Sequence, residues 1–221
     1  RLITGISLDQ EYVGVSHDLG DQLKIYLTWN QPGVYLEIPK GELVFLGFSP
    51  FMVGINKNAL NEYYSVIARG ACLSFHEGIF KTDLVWKGYP ATDSPGRIAI
   101  KFLQSCSIDD ETLYVFEGVR GSYQFLPAIY RQIHAIRNYF RSRPGNVKPS
   151  SDLYAQLIAA YSVPRYLSIL SVGAGGLFNI FPVDLDGYVG QKYFVFSLRL
   201  GGKANEEIER TRRVVLARVS L

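Results

Sequence analysis

The sequence predicts a sheet-rich α+β protein. Of its 221 residues, 48% are hydrophobic, and it contains 15 tyrosines and 13 phenylalanines against one methionine. Aromatic side chains favour the half-buried surface of a pleated sheet. Short apolar runs bounded by Gly, Pro, Asn and Asp are typical of strands, and two stretches with helical periodicity occur in the second half. The chain therefore divides into a β-rich region over 1–120 of no assignable role, a helical connector over 121–165, and a second β-containing segment over 166–221.

The strands of the β-rich region are marked by alternation and by turn residues. Residues 22–29 alternate apolar and polar side chains, as a half-buried strand does, and a turn sequence, Asn30-Gln31-Pro32-Gly33, follows. The predicted strands are 22–29, 34–38, 43–48, 51–55, 71–75, 97–103 and 112–119. Residues 59–68 have the composition of a short helix that Gly70 would end. A similar strand-helix-strand order recurs near the C-terminus, and internal duplication is the less favoured explanation for it.

Two helices are predicted in the connector. Over 123–143, apolar side chains recur every three or four residues and form one stripe, made of Phe125, Ile129, Ile133, Ile136 and Phe140. Basic side chains occupy a neighbouring face, at Arg131, His134, Arg137 and Arg141. Pro144-Gly145 would end this helix, and Ser150 or Ser151 would cap a second one over 153–161. We interpret the basic face as solvated, and docking of an anionic partner is the alternative.

The segment over 166–221 combines groups suited to an anion. It contains a strand, a glycine turn at 173–176, a second strand with Asn179-Ile180-Phe181-Pro182, a third ending in Phe196-Ser197-Leu198-Arg199, a helix entered through Gly201-Gly202-Lys203, and a fourth strand over 214–219. A hydroxyl, cationic side chains and helix-start N–H groups in one place suit a phosphate. Three glutamates already complement the helix start, so the anion is expected on the strand side, near Ser197, Arg199 and Lys203.

This order of elements resembles the first half of the flavin reductase-like, FMN-binding split-barrel family. The resemblance implies a split β-barrel (FMN-binding type) segment at the C-terminus, preceded by the β-rich region and the two connecting helices. It implies FMN as cofactor, with Asn179, Ile180, Phe181 and Pro182 at the isoalloxazine ring. Ser197, Arg199 and Lys203 would surround the flavin phosphate, with Leu198 between them in the same cofactor-binding set.

The same resemblance implies the chemistry and the partners. It predicts an oxidoreductase in which NAD(P)H or another reductant supplies a hydride to the flavin, and a homodimer whose interface helps to form the site. Because the flavin carries the hydride, no catalytic side chain is assigned. The alternative is a non-catalytic barrel module that binds an acidic partner through the basic helix. NADH and NADPH are not distinguished, and neither is the electron acceptor.

Several other classes of function have no support in the sequence. A net charge of +3 is too small to indicate nucleic-acid binding. Cys72 and Cys106 match no metal-ligand spacing and predict free thiols in a reducing, cytoplasmic setting. No apolar run approaches the roughly 18 residues of a membrane span, so no membrane partner is expected. Asp184 and Asp186 suit a turn better than a metal site, and the three histidines have no assignable catalytic partner.

The ends of the sequence predict a piece of a longer barrel. Met52 is the only methionine, and the chain stops directly after an apolar strand. An unpaired strand exposes backbone N–H and C=O groups, so we expect the second half of the barrel to be missing from this chain. We also expect the chain, taken alone, to self-associate and to bind FMN poorly.

Overall fold

A computed structural model describes residues 23–29, 35–38, 42–56, 60, 71–77, 96–124, 126–141, 148–161, 168–174, 177–198 and 202–218. The fold is sheet-rich α+β with antiparallel sheets, as the sequence predicts. The predicted helix over 59–68 lies outside the described residues except for Leu60, which is buried.

All seven strands predicted in the β-rich region join one antiparallel sheet. They are β1 (Leu23–Trp29), β2 (Tyr35–Ile38), β3 (Leu43–Phe48), β4 (Phe51–Asn56), β5 (Ala71–Glu77), β6 (Gly96–Ile108) and β7 (Glu111–Tyr123). Their order across the sheet is β2-β1-β5-β6-β7-β4-β3. The strands β6 and β7 are longer than predicted, because they continue as a hairpin to the turn at Asp109-Asp110 after the buried apolar run has ended.

The main core lies between this sheet and the second helix of the connector. The helices are α1 (Ala128–Arg141) and α2 (Ser151–Tyr161). Ala159 and Ala160 of α2 are fully buried in the same cluster as Phe51 and Phe116 of the sheet. Small side chains on α2 allow its backbone to approach β7 closely, and Asp152 accepts a hydrogen bond from the N–H of Gly121 at 3.2 Å.

The first connector helix begins later than predicted and has an unexpected orientation. Tyr123 ends β7, and the helix starts only after Pro127, whose carbonyl oxygen accepts a hydrogen bond from the N–H of Arg131 at 3.1 Å. Proline suits a helix start because it lacks an N–H, which would have no partner there. Four residues of the apolar stripe, Ile129, Ile133, Ile136 and Phe140, are exposed to solvent, and the fifth, Phe125, lies outside the described residues. Ala135 packs beside Tyr154 and Ile158.

The C-terminal segment forms two further small sheets. Its elements are β8 (Ser168–Ala174), β9 (Leu177–Val183), β10 (Asp186–Val189), β11 (Tyr193–Phe196), α3 (Lys203–Thr211) and β12 (Val215–Arg218). One sheet has the order β12-β8-β9, and β10 and β11 form a hairpin. The helix α3 packs against β8. The strands β8 and β9 on either side of the predicted glycine turn pair antiparallel. The strand β10 was not predicted, since only four residues form it.

The β10–β11 hairpin packs on the large sheet. Val189 is buried with Val44, Leu113 and Val115 of β3 and β7. The hydroxyl of Tyr193 donates a hydrogen bond to Asp109 in the β6–β7 turn. Within the described chain, neither α1 nor any other helix has the length and apolar character needed to cross a bilayer.

Candidate functional site

The residues predicted to border a flavin ring lie on β9, the edge strand of the β12-β8-β9 sheet. One edge of β9 pairs with β8, and the other edge of β9 pairs with no strand among the described residues. Asn179 and Pro182 are exposed, Ile180 is 68% exposed, and Phe181 is half-buried. An open edge offers backbone N–H and C=O groups to a ligand.

Strand alternation divides these four side chains between the two faces of the sheet. Asn179 and Phe181 share the face on which Leu170 and Val172 are buried. Ile180 lies on the other face, in one cross-strand row with Ser171 and Val215. That face is apolar and open, because Phe178, Ile180 and Val215 are each about two-thirds exposed. Phe178 and Val215 were not singled out from the sequence, although their place in the alternation could have indicated them.

Ser197 and Leu198 lie just beyond β11, and not on it as predicted. The last register pair of the hairpin is Asp186 with Phe196. The N–H of Ser197 still donates to the carbonyl oxygen of Leu185 at 2.8 Å, and both Ser197 and Leu198 are half-buried. Leu185 lies two residues beyond the end of β9 and immediately before β10, so this bond holds the Ser197 segment to the short connection that follows β9. Arg199 lies outside the described residues.

Lys203 is exposed at the first position of α3, where the helix start has no side-chain cap. Gly202 is the N-cap, in an extended conformation, and no side-chain hydrogen bond satisfies the first N–H groups. The positive end of the helix dipole is therefore available to an anion. Glu206 is exposed in the first turn, whereas Glu207 pairs with Arg210 at 2.5 Å, which reduces its repulsion of an anion.

A carboxylate pair lies away from these segments and was missed by sequence reasoning. Burial first, and then the charge of Glu111, raise the pKa of Glu42 above its usual range. Asn56 donates from Nδ2 to Glu111 Oε2 at 3.4 Å. No local motif links Glu42 to Glu111, and only the pairing of β3, β4 and β7 brings them together.

The other reactive side chains form no cluster in the described part of the chain. No group of three or more His, Cys, Asp or Glu residues could hold a metal ion there. Cys106 is an exposed free thiol. His17 and the side chains of Cys72 and His76 lie outside the described residues. Asp186, expected in a turn, begins β10, and Leu185 forms the bend before it.

No protein-family model matches the sequence, and no curated protein does. Solved structures similar to this chain are flavin reductases and FMN-binding proteins. The styrene monooxygenase flavin reductase from Pseudomonas putida is 10% identical, with 48% of this chain and 81% of that chain covered and a TM-score of 0.34. An FMN-binding protein from Thermus thermophilus is 14% identical, with 46% and 70% covered and a TM-score of 0.33. The flavin reductase HpaC, solved with NADP+, is 16% identical, with 48% and 80% covered and a TM-score of 0.32.

These structures belong to the class of protein that the sequence resemblance named. At TM-scores of 0.31 to 0.34 their likeness to this chain is partial, so the flavin hypothesis rests on the residues of β9, the Ser197 segment and the start of α3.

Proposed function

We propose that this chain binds FMN through its C-terminal segment and acts as an NAD(P)H-linked flavin reductase. The observation that supports this most directly is the hydrogen bond from Ser197 to Leu185. It joins the segment proposed for the phosphate to the connection that directly follows the strand proposed for the ring. A ligand with a flat heteroaromatic ring and a phosphate needs both kinds of site next to each other.

The ring is proposed to extend the sheet at the open edge of β9. Backbone groups of this edge would meet the polar edge of the ring. Side chains from the two faces would then flank the ring, with Asn179 and Phe181 on one side and Ile180 and Pro182 on the other. This arrangement explains how one strand can use consecutive residues although their side chains alternate.

The phosphate is proposed to lie between Ser197 and the start of α3. The Ser197 hydroxyl and the Lys203 ammonium would donate to it, with the uncapped N–H groups near Gly202 adding the dipole of the helix. Leu198 and Arg199 complete the proposed set. Exposed Glu206 disfavours a position on the helix axis, so the anion is placed on the Ser197 side.

In this proposal the protein binds and orients the cofactor, and bound FMN supplies hydride acceptance and donation. Because the flavin carries the hydride, no general acid or base is assigned to the protein. The proposed reductant is NADH or NADPH. A homodimer is also proposed, as the resemblance to the split-barrel family implies.

Fluorescence titration tests the proposed phosphate site. Lys203→Ala should weaken FMN binding by about 1.5–3 kcal/mol, the range for a charge-assisted hydrogen bond, and leave riboflavin binding unchanged because riboflavin has no phosphate. Lys192→Ala is the matched control, since Lys192 is an exposed lysine in the β10–β11 turn. Equal affinity of the unchanged protein for FMN and riboflavin would contradict the phosphate site. FMN binding without NAD(P)H oxidation would instead favour the non-catalytic module.

A further inference from the structure

The apolar stripe of α1 points away from the protein. Its four described side chains are all more than half exposed: Ile129 65%, Ile133 52%, Ile136 59% and Phe140 78%. Contiguous exposed apolar side chains of this size usually mark an interaction surface. We call these four residues the α1 seam.

The opposite side of α1 holds the helix to the body. Arg131 donates from Nη1 to the carbonyl oxygen of Tyr123 at 2.6 Å, and its guanidinium lies 5.7 Å from the centre of the Tyr123 ring. Ala135 packs against the buried cluster of Tyr123, Tyr154 and Ile158. The helix is therefore already ordered, and a partner that binds the seam does not have to order it.

The spacing of the seam suits another helix. Its residues follow one another at intervals of four, three and four, which is the heptad spacing of helices that pack knobs into holes. At 100° per residue the seam spans an arc of only about 60°. Tyr130 and Tyr139, which are 54% and 47% exposed, flank the seam on its two sides. The heptad spacing of the seam between them fits a helical partner.

The large apolar side chains on and beside the seam are arranged symmetrically along the helix, whereas the residues between them are not. From 129 to 140 the chain is Ile-Tyr-Arg-Gln-Ile-His-Ala-Ile-Arg-Asn-Tyr-Phe. Ile133 and Ile136 are symmetric about the midpoint, as are Tyr130 and Tyr139, and Ile129 corresponds to Phe140. A twofold contact requires a surface that complements itself in reverse order, so that residue i contacts j and j contacts i.

From these observations we propose that two copies of this chain associate through antiparallel packing of their α1 helices about a twofold axis. Ile133 faces Ile136 of the partner subunit, and Ile129 faces Phe140 of the partner subunit. The twofold axis repeats each of these two contacts, so all eight seam side chains, four from each copy, become covered.

The charges beside the seam are compatible with this pairing. A twofold axis brings each flank of the seam against the same flank of the other helix. Arg137 then lies beside Tyr130 of the partner subunit, where a guanidinium and an aromatic ring attract each other. Gln132 lies beside Tyr139 of the partner subunit. The arginines of the two helices are thus not placed opposite one another.

Sedimentation of the full chain tests the proposal. The unchanged protein should show a monomer–dimer equilibrium between about 1 µM and 1 mM. Ile133→Glu should raise the dissociation constant by at least about tenfold, because a carboxylate would be buried without a partner at the centre of the contact. Ile108→Glu is the matched control, since Ile108 is 46% exposed at the far end of β6, and it should leave the dissociation constant unchanged.

Crosslinking tests the register. In a background with Cys72→Ser and Cys106→Ser, the pair Ile129→Cys and Phe140→Cys should form covalent dimers under mild oxidation, whereas Ile129→Cys alone should not. Efficient crosslinking through Ile129→Cys alone would show parallel helices and overturn the proposed register.

Other occupants of the seam would give different results. A monomer at all concentrations, or a dimer that Ile133→Glu leaves intact, would overturn the proposal. So would a monomer that binds vesicles of anionic lipid only while Ile133 is present, which would assign the seam to a membrane surface. Circular dichroism of Ile133→Glu should match that of the unchanged protein, because Ile133 contributes nothing to the buried core.

Discussion

Glu42 and Glu111 show how single residues far apart in sequence acquire a shared environment. Glu42 precedes β3 and Glu111 begins β7, and the carboxylate of Glu111 also lies against the backbone of Gly190, whose φ is +61°. A side chain at Gly190 would overlap this carboxylate, with a Cβ only 1.9 Å from Glu111 Oε1. Glycine is therefore required there both by its conformation and by the available space.

The raised pKa of Glu42 predicts that this residue opposes folding at neutral pH. The folded protein holds its proton to a higher pH than the unfolded chain does, so stability falls as pH rises from the usual Glu pKa of 4.5 through the folded value. Glu42→Gln should remove this loss. We expect it to raise Tm by about 1–3 °C at neutral pH and to leave Tm nearly unchanged at acidic pH. The effect is small because water screens a partly exposed group.

Thermal unfolding at several pH values, followed by circular dichroism, measures this effect. Glu117→Gln is a suitable control, since it removes a carboxylate from β7 away from the Glu42 pair. A Tm for Glu42→Gln that falls at neutral pH would mean that the Glu42 carboxylate stabilises the fold.

The single-residue environments could not be predicted from the sequence. The register of β4 on β7 brings Asn56 within reach of Glu111, and register depends on tertiary packing. By contrast, Lys203 was correctly predicted at the start of a helix, because Gly-Gly followed by a polar helical pattern is a local signal.

Among the secondary-structure elements, the helix α2 packs closely on the strand β7. Gly121 has no room for a side chain, because a Cβ there would lie 2.3 Å from the backbone nitrogen of Gln156. At Gly118 the nearest atom would be Oε1 of the Gln156 side chain at 2.2 Å, which can move. At Gly121 the obstacle is the backbone of α2, which can move aside only if the helix separates from the sheet.

We therefore expect Gly121→Ala to destabilise the protein by about 1–3 kcal/mol, the usual cost of overpacking. In a chain of this size each kcal/mol corresponds to roughly 2–4 °C in Tm. Denaturant unfolding with Ser122→Ala as the control measures the difference, since Ser122 is exposed on the same strand. Unfolding free energies that agree for Gly121→Ala and the unchanged protein would show that α2 is not tightly packed on β7.

Most strands and helices could be predicted because their signals are local. Alternation, turn residues and helical periodicity indicated all seven strands of the large sheet and the positions of α1, α2 and α3. The orientation of α1 could not be predicted in this way. Periodicity shows that a helix has an apolar stripe, but whether the stripe faces the core depends on Tyr123 and Tyr154, which bind the opposite side.

At the scale of the whole molecule, the C-terminal hairpin shares a core with the N-terminal sheet. Val44 of β3 and Val189 of β10 are buried in one cluster. A Cβ on Gly187 would lie 2.8 Å from Val44 Cγ2, so the backbone of β10 directly contacts β3. The hairpin lies between β9 and Ser197, the two proposed flavin-binding segments, so the large sheet that packs against the hairpin supports both of them.

This shared core predicts that the hairpin and the large sheet unfold together. Amide hydrogen exchange should give peptides from 186–196 the same opening free energy as peptides from β7, since the hairpin cannot leave without exposing Val44 and Val115. At concentrations at which the chain is monomeric, peptides from α1 should exchange at a lower free energy, because only one side of that helix is then packed. Replacing Gly187 with valine should lower the protection of the hairpin and weaken FMN binding, while β7 keeps most of its protection. If the hairpin of the unchanged protein exchanged well before β7, its packing on the sheet would be too weak to support a site.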